Sequence, residues 1–462
     1  MVFRLDTNVM RDTFRMGTDD DDLSLEHNTK LFKLFPFTTR NEKTVVEKLD
    51  CAVGEYLRTL LSQAYVELNP AELKETILKE LNIEAANQPL FGDIVNSVCF
   101  RKSETGLHDL VRPLNLKMFS YVARNSKAEE NMAQYLSSVL APREQVQAII
   151  SDAIDCGSAN ENVLEGIFRR ALPPMSQTDT SSDLYYPVFT AGQDLFVQDL
   201  RFILQNTSRS KEYLVELLEF YCFFYTSQTC LQLGQFLNGK RQEVVPLYYS
   251  LDWEKTSQGR KCYTDGWKVL EPAVNPIFFH AVALEILNQR ESDERYDYIG
   301  LRGLLDQNPD SDKAIATEIR KCTELYCKAG KQDPPSGELS TSEEVQFLFN
   351  SIKKVIDESG RRGVDKKYSD KFYAFCKKHF LKFRGNSGSM LTLTERKLIF
   401  LTKLCIGSEK KMRLTRVFAE LERRGVFLDE SSKDAVMHYY ERLNLIEKKS
   451  DSGDAQYVKR IL

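Results

Sequence analysis

Asp357, Asp365 and Lys367 follow the order in which a metal-dependent nuclease presents two carboxylates and a lysine around a divalent ion. Such a site needs a strand to carry it, and none of the three lies in a strand-like apolar run. Pro309-Asp310 starts the same pattern with little after it, and matches this short arise easily by chance. A diverged nuclease is therefore kept as an alternative. Cys376 and His379, three apart on an expected helix, could share a metal, but zinc takes three or four ligands and the sequence offers no second pair. There is no G-x-x-x-x-G-K-[ST] loop and no G-x-G-x-x-G after a strand, so ATP hydrolysis by the chain alone is not expected. His27 and His108 fall in polar stretches, and His280, inside PIFFHAVALEIL, is expected to be packed. We assign no catalytic residue, cofactor or metal.

The cations are more informative. Arg361 to Gly385 holds nine Lys or Arg against Asp365 and Asp370, a net of +7, interleaved with Tyr368, Phe372, Tyr373, Phe375, Phe380 and Phe383. The aromatics fall near helical spacing and suit a core stripe, which leaves the cations unexplained by packing. Lys377, Lys378, Lys382 and Arg384 suit phosphate contact. Further on, Lys410, Lys411, Arg413 and Arg416 form a second group, and Lys448, Lys449, Lys459 and Arg460 a third. The whole chain carries a net charge of -4, so contact with double-stranded DNA would have to be local, through its backbone.

The elements expected to carry these groups form a winged-helix domain over Leu391–Leu462. Thr392-Leu393-Thr394-Glu395 has the spacing of a capping box, followed by a helix with Leu398, Leu401 and Cys405 on one face, stopping at Gly407. Met412 to Leu414 leads to Thr415, an expected N-cap for a second helix that buries Val417, Phe418 and Leu421 and ends at Gly425. A third helix opens near Ser431 with Val436, Tyr440 and Leu443 inward, and two strands follow, Leu445 to Lys449 and Gln456 to Ile461, around the turn SDSGDA. Fifteen Lys or Arg against eleven Asp or Glu give this region a net of +4. In the usual docking mode the third helix enters the major groove. Here its outward face shows Asp434, His438, Glu441 and Arg442, with Lys433 and Arg442 cancelled by Asp434 and Glu441, so backbone contact by DNA or docking of protein alone both remain open.

The rest of the chain is expected to be mainly helical. With 42% hydrophobic and 28% charged residues it has ample material for a core. Residues 1–30 are acidic and polar and are expected to be loosely ordered; 31–330 should form a multi-helix scaffold with a boundary near 172–183; 331–342 should be a linker and 343–385 a basic aromatic helical segment. Helical spacing marks Val45 to Leu61, Ala71 to Leu81 and Glu130 to Ile154, and the run from Lys211 to Leu237 is unusually aromatic. That run, with Trp253 and Trp267 in PLYYSLDWEKTSQGRKCYTDGWK, is a candidate partner surface. For the tryptophans the plainer reading is anchorage of a loop to the core. Ten scattered cysteines without C-x-x-C suit free buried thiols, and with no signal-like or membrane-spanning stretch the protein is expected in the cytoplasm.

Two stretches, LFPFTTRNE (Leu34 to Glu42) and PLYYSLDWEKTS (Pro246 to Ser257) with Gly266-Trp267 downstream, resemble the DNA phosphorothioation-dependent restriction proteins of the DptG type. The resemblance covers most of the chain, and length and the expected terminal winged helix agree with it. It implies a component of a bacterial defence complex that damages DNA lacking a sulfur-marked backbone. Two other members would carry the nucleotide-driven activity, so ATPase or helicase-like subunits are the implied partners. No catalytic residue is carried over from the family.

Overall fold

The computed structural model describes residues 3–16, 25–27, 29–38, 49–81, 84–102, 108–110, 113–124, 126–156, 163–178, 185–206, 210–290, 293–358, 363–448 and 456–461. It is mainly helical, with short strands gathered chiefly in the C-terminal third. The organising element is the helix Ser210–Gly234, in which every residue from 220 to 233 is buried. A helix apolar on all sides must be enclosed on all sides. Its buried glutamines show how polar groups survive there. Gln228 accepts from the Val245 amide at 2.8 Å and donates to the Val245 carbonyl at 2.9 Å, and Gln232 does the same for Lys240 and Glu243 at 2.6 and 2.8 Å. Spaced one turn apart, the two side chains act as a substitute strand for the segment beside them. The aromatic run is thus consumed by the core, which corrects its reading as a partner surface.

Several expectations are adjusted. In the N-terminal stretch the described part is ordered. Thr7–Phe14 is a helix capped by Asp6, its Met10 and Phe14 are fully buried, and Leu5 donates its amide to Glu318 at 3.1 Å. Glu285 accepts from the amides of Lys30, Leu31 and Phe32 at 2.8–3.1 Å. The acidic run Asp19 to Asp22 lies outside the described residues. Glu130 to Ile154 is two helices, Lys127–Val139 and Arg143–Cys156, because Pro142 cannot continue a helix from before it. His280 is buried against Phe236 and Phe349, hydrogen-bonded to Tyr298 at 3.1 Å, and burial pushes its imidazole down to about 3. Cys99, Cys222, Cys230, Cys262, Cys322, Cys327, Cys376 and Cys405 are free and buried. No single helix among the described residues is long and apolar enough to cross a membrane.

The C-terminal region has the order helix Glu395–Ile406, strand Lys411–Arg413, helix Leu414–Arg423, helix Glu430–Arg442, strand Ile446–Lys448 and strand Gln456–Lys459. The last strand lies between the other two, antiparallel to both. The cap of the first helix is Thr394, which accepts from the Lys397 amide at 3.2 Å; Thr392 belongs instead to the strand Ser389–Leu393. Thr415 sits inside the second helix, and Leu443 is 45% exposed, not inward.

This region shares its core with the chain before it. Strand Ser389–Leu393 pairs antiparallel with Leu381–Phe383 and parallel with Ser250–Leu251. Tyr249 donates its amide to the Phe427 carbonyl at 2.9 Å, and Phe427 donates to Leu247 at 3.1 Å. Deeper still, Arg424 and Asp199, each 3% exposed, pair at 2.7 Å, and Tyr221 of the central helix donates to the same carboxylate at 2.7 Å.

Candidate nucleic-acid interface

Strand alternation builds the site. Met412 and Val458 face inward and are buried, so the pairs Lys411–Lys459 and Arg413–Tyr457 face out, with Glu447 beside Tyr457. The sheet thus gathers onto one face cations almost fifty positions apart in sequence. Tyr457 lies against two of them, 5.3 Å from the Lys411 ammonium and 6.0 Å from the Arg413 guanidinium, and its hydroxyl accepts from Arg413 at 3.3 Å. Lys411 pairs with Glu447 at 2.5 Å, and Lys459 donates to the Asn444 carbonyl at 3.3 Å. Arg416 pairs with Glu409 at 3.0 Å and the exposed Lys410 accepts the Arg460 amide at its carbonyl. Lys448, one residue off the cationic face, pairs with Glu441 at 2.9 Å. Lys449 lies outside the described residues. Exposed pairs of this kind are worth little, so each cation can exchange its carboxylate for a phosphate at small cost.

The other expected cations divide. Lys377 and Lys378 are exposed in the last turn of the helix Val364–His379, where positive charge complements the helix dipole. That helix packs on Ile277–Leu287 and Trp267–Val274. Arg384 is corrected, being part-buried against carbonyls of its own chain, while Lys382 stays exposed in an ion pair like that of Lys411. Lys382 bonds the Asp252 carboxylate and, at 2.9 Å, its carbonyl; Arg384 donates to the carbonyls of Leu251, Glu254 and Asp252 at 2.6, 3.1 and 3.3 Å. They tie down the turn that follows the strand Ser250–Leu251. Of the aromatic stripe, Tyr368, Phe372, Phe375 and Phe380 are buried, while Phe383 is 74% exposed.

That turn also supports the third helix. Asp429 caps it, accepting from the Ser432 amide at 3.0 Å, and is held by Arg260 at 2.5 Å. Burial opposes charge on Asp429, but Arg260 and the Ser432 amide outweigh it and the carboxyl falls to about 2. Glu254 accepts from Ser432 at 2.9 Å, and Trp253 packs on Tyr439 with ring centroids 4.8 Å apart. Trp253 is half-buried, and Trp267, 3% exposed and packed on Tyr373, has no surface to offer a partner. The outward face of the helix shows Asp434, His438 and Arg442, with Glu441 drawn to His438 and Lys448.

Asp357 lies on the helix Thr341–Glu358, and Asp365 and Lys367 on Val364–His379, with no strand carrying them. Among the described residues no group of three or more His, Cys, Asp or Glu could hold a metal ion; His379 is 3.3 Å from Glu219 and Cys376 is buried. Sequence reasoning missed Tyr457 and Asp199; Arg260 stands in the segment it singled out, but its partner Asp429 lies far along the chain and leaves no local signal. No family model and no curated protein matches this sequence, so the interface rests on its own geometry.

Proposed function

We propose that residues 391–462 form a winged helix that engages the backbone of double-stranded DNA through the outer face of its sheet. The rest of the chain serves as a scaffold without a catalytic centre of its own. The observation that carries this reading is the clustering of Lys411, Arg413 and Lys459 on one exposed sheet face, with Tyr457 against two of them. Helix, strand, helix, helix, strand, strand, with the last strand in the middle of the sheet, is the order expected of that fold. Phosphate contact by such a face is independent of sequence and weakens steeply with salt. Titration against unrelated duplexes at several salt concentrations tests it: equal affinities and a steep slope are expected, and a strong preference for one sequence would refute it.

The resemblance to the DptG type extends the proposal. The protein would be a cytoplasmic, DNA-engaging subunit of a phosphorothioation-dependent restriction complex, working with ATPase or helicase-like subunits. Both stretches that carry the resemblance pack against the C-terminal third, Phe37 on Tyr368 and Phe372 at 5.8 and 6.0 Å, and Tyr249 on the Phe427 backbone. A stable complex on co-expression with the neighbouring genes is the expected result; a protein that stays monomeric there removes the scaffold role.

A further inference from the structure

The second and third helices of the C-terminal region diverge over a groove of about 340 Å³. Its floor is apolar, made by Leu414, Phe418, Ala419 and Met437. Its rim is acidic: Glu422, Glu430 and Asp434 stand against the single cation Lys433. Lys433 is already engaged, 3.2 Å from Glu430 and 5.9 Å from the Phe418 ring. Glu422 and Asp434 have no ion-pair partner among the described residues. The third helix is fixed where the groove opens, because Arg260 and Glu254 clamp Asp429 and Ser432.

We propose that this groove docks a short basic amphipathic helix of a partner protein. Three features select that occupant. Apolar side chains laid on Leu414, Phe418 and Met437 would take apolar surface out of water. The walls are two helices, and Leu414, Phe418 and Glu422 are spaced one turn apart over about 12 Å, the reach of two to three turns of a third helix with anchors at i, i+4 and i+7. The rim carries a net of two negative charges, which welcomes Lys or Arg flanking those anchors and repels both an acidic peptide and a phosphate backbone. The groove and the cationic sheet face thus serve different ligands, and this proposal does not rest on the DNA reading.

The test uses the full chain and two fluorescent helical peptides of about three turns. Both carry leucines at i, i+4 and i+7; one is flanked by arginines and the other by glutamates. Anisotropy should show the arginine peptide bound and the glutamate peptide not. The exposed-rim variant Glu422→Lys with Asp434→Lys should weaken the arginine peptide at least about tenfold and admit the glutamate peptide. Met437→Glu, which places a charge on the floor, should abolish binding of both. The proposal is overturned if neither peptide binds, if both bind alike, or if the rim variant changes nothing. It is overturned in favour of nucleic acid if duplex DNA displaces the peptide and the rim variant binds duplex more tightly. Failure of the peptides leaves the salt titration of the sheet face unaffected.

Discussion

Lys411, Arg413 and Lys459 on the outer sheet face, and Arg260, Arg384 and Arg424 along the seam with the middle of the chain, are cations of one kind in opposite surroundings. Outside, Lys411 is about a third exposed and its partner Glu447 somewhat more, so water screens the pair and either member can be exchanged. Inside, Arg424 lies between Asp199 and Glu420 with almost no exposure; burial disfavours its charge, but Asp199 outweighs that and holds the guanidinium well above the usual arginine range. The same charge is a movable contact in one place and a fixed joint in the other. Net charge along the sequence cannot distinguish the two; the partner's depth does.

The comparison breaks first at the joint. Asp199→Ala leaves a buried guanidinium without its main partner and takes a hydrogen bond from Tyr221, so denaturation in urea should show a loss of about 3–5 kcal/mol. Duplex affinity per folded molecule should stay unchanged. A loss below about 1 kcal/mol would mean that water reaches Arg424 and that the seam is looser than its geometry.

Arg384→Ala should cost less, about 1–3 kcal/mol, because carbonyls of Leu251, Asp252 and Glu254 lose a charged donor but lie nearer to water. Duplex affinity should again be unaltered. If affinity falls while stability holds, Arg384 belongs with the outer group after all.

A smaller effect is expected at Asp429. Its folded value of about 2 lies below the unfolded value near 3.9, so its charged form stabilises the fold at neutral pH. That contribution is complete above the unfolded value and is lost as pH falls from about 4 towards about 2. Asp429→Asn should lower stability at neutral pH and flatten the stability curve across that acid window. An unchanged curve would assign the acid sensitivity to other carboxylates.

How much of this was legible in advance depends on the range of the interactions. Local signals carried well: Gly407 and Gly425 end their helices with positive φ, and the third helix and the two strands fall within a few residues of their expected places. The failures are long-range. The aromatic run gave no sign that it would be enclosed on every side, since a surface patch and a core helix have the same composition. Arg384 matched the pattern of phosphate contacts, yet its partners lie about 130 positions earlier in the chain. The site was half visible: the cations at 410–416 and 459–460 were seen, but only the pairing of Lys411 with Lys459 shows that they share a face.

The central claim is that the outer sheet face binds DNA phosphates. The most direct measurement compares the wild-type chain with Lys411→Glu, Arg413→Glu and Lys459→Glu combined, titrated against unrelated duplexes from low to high salt. Weaker binding to every duplex is expected, with a salt slope flatter by about three units, near one per lost contact, and stability within about 1 kcal/mol of wild type. Changing His438 and Arg442 to Ala should matter much less. An unchanged slope in the sheet variant, or a loss seen only with His438→Ala and Arg442→Ala and only for one sequence, would contradict it and make the third helix the reader of bases.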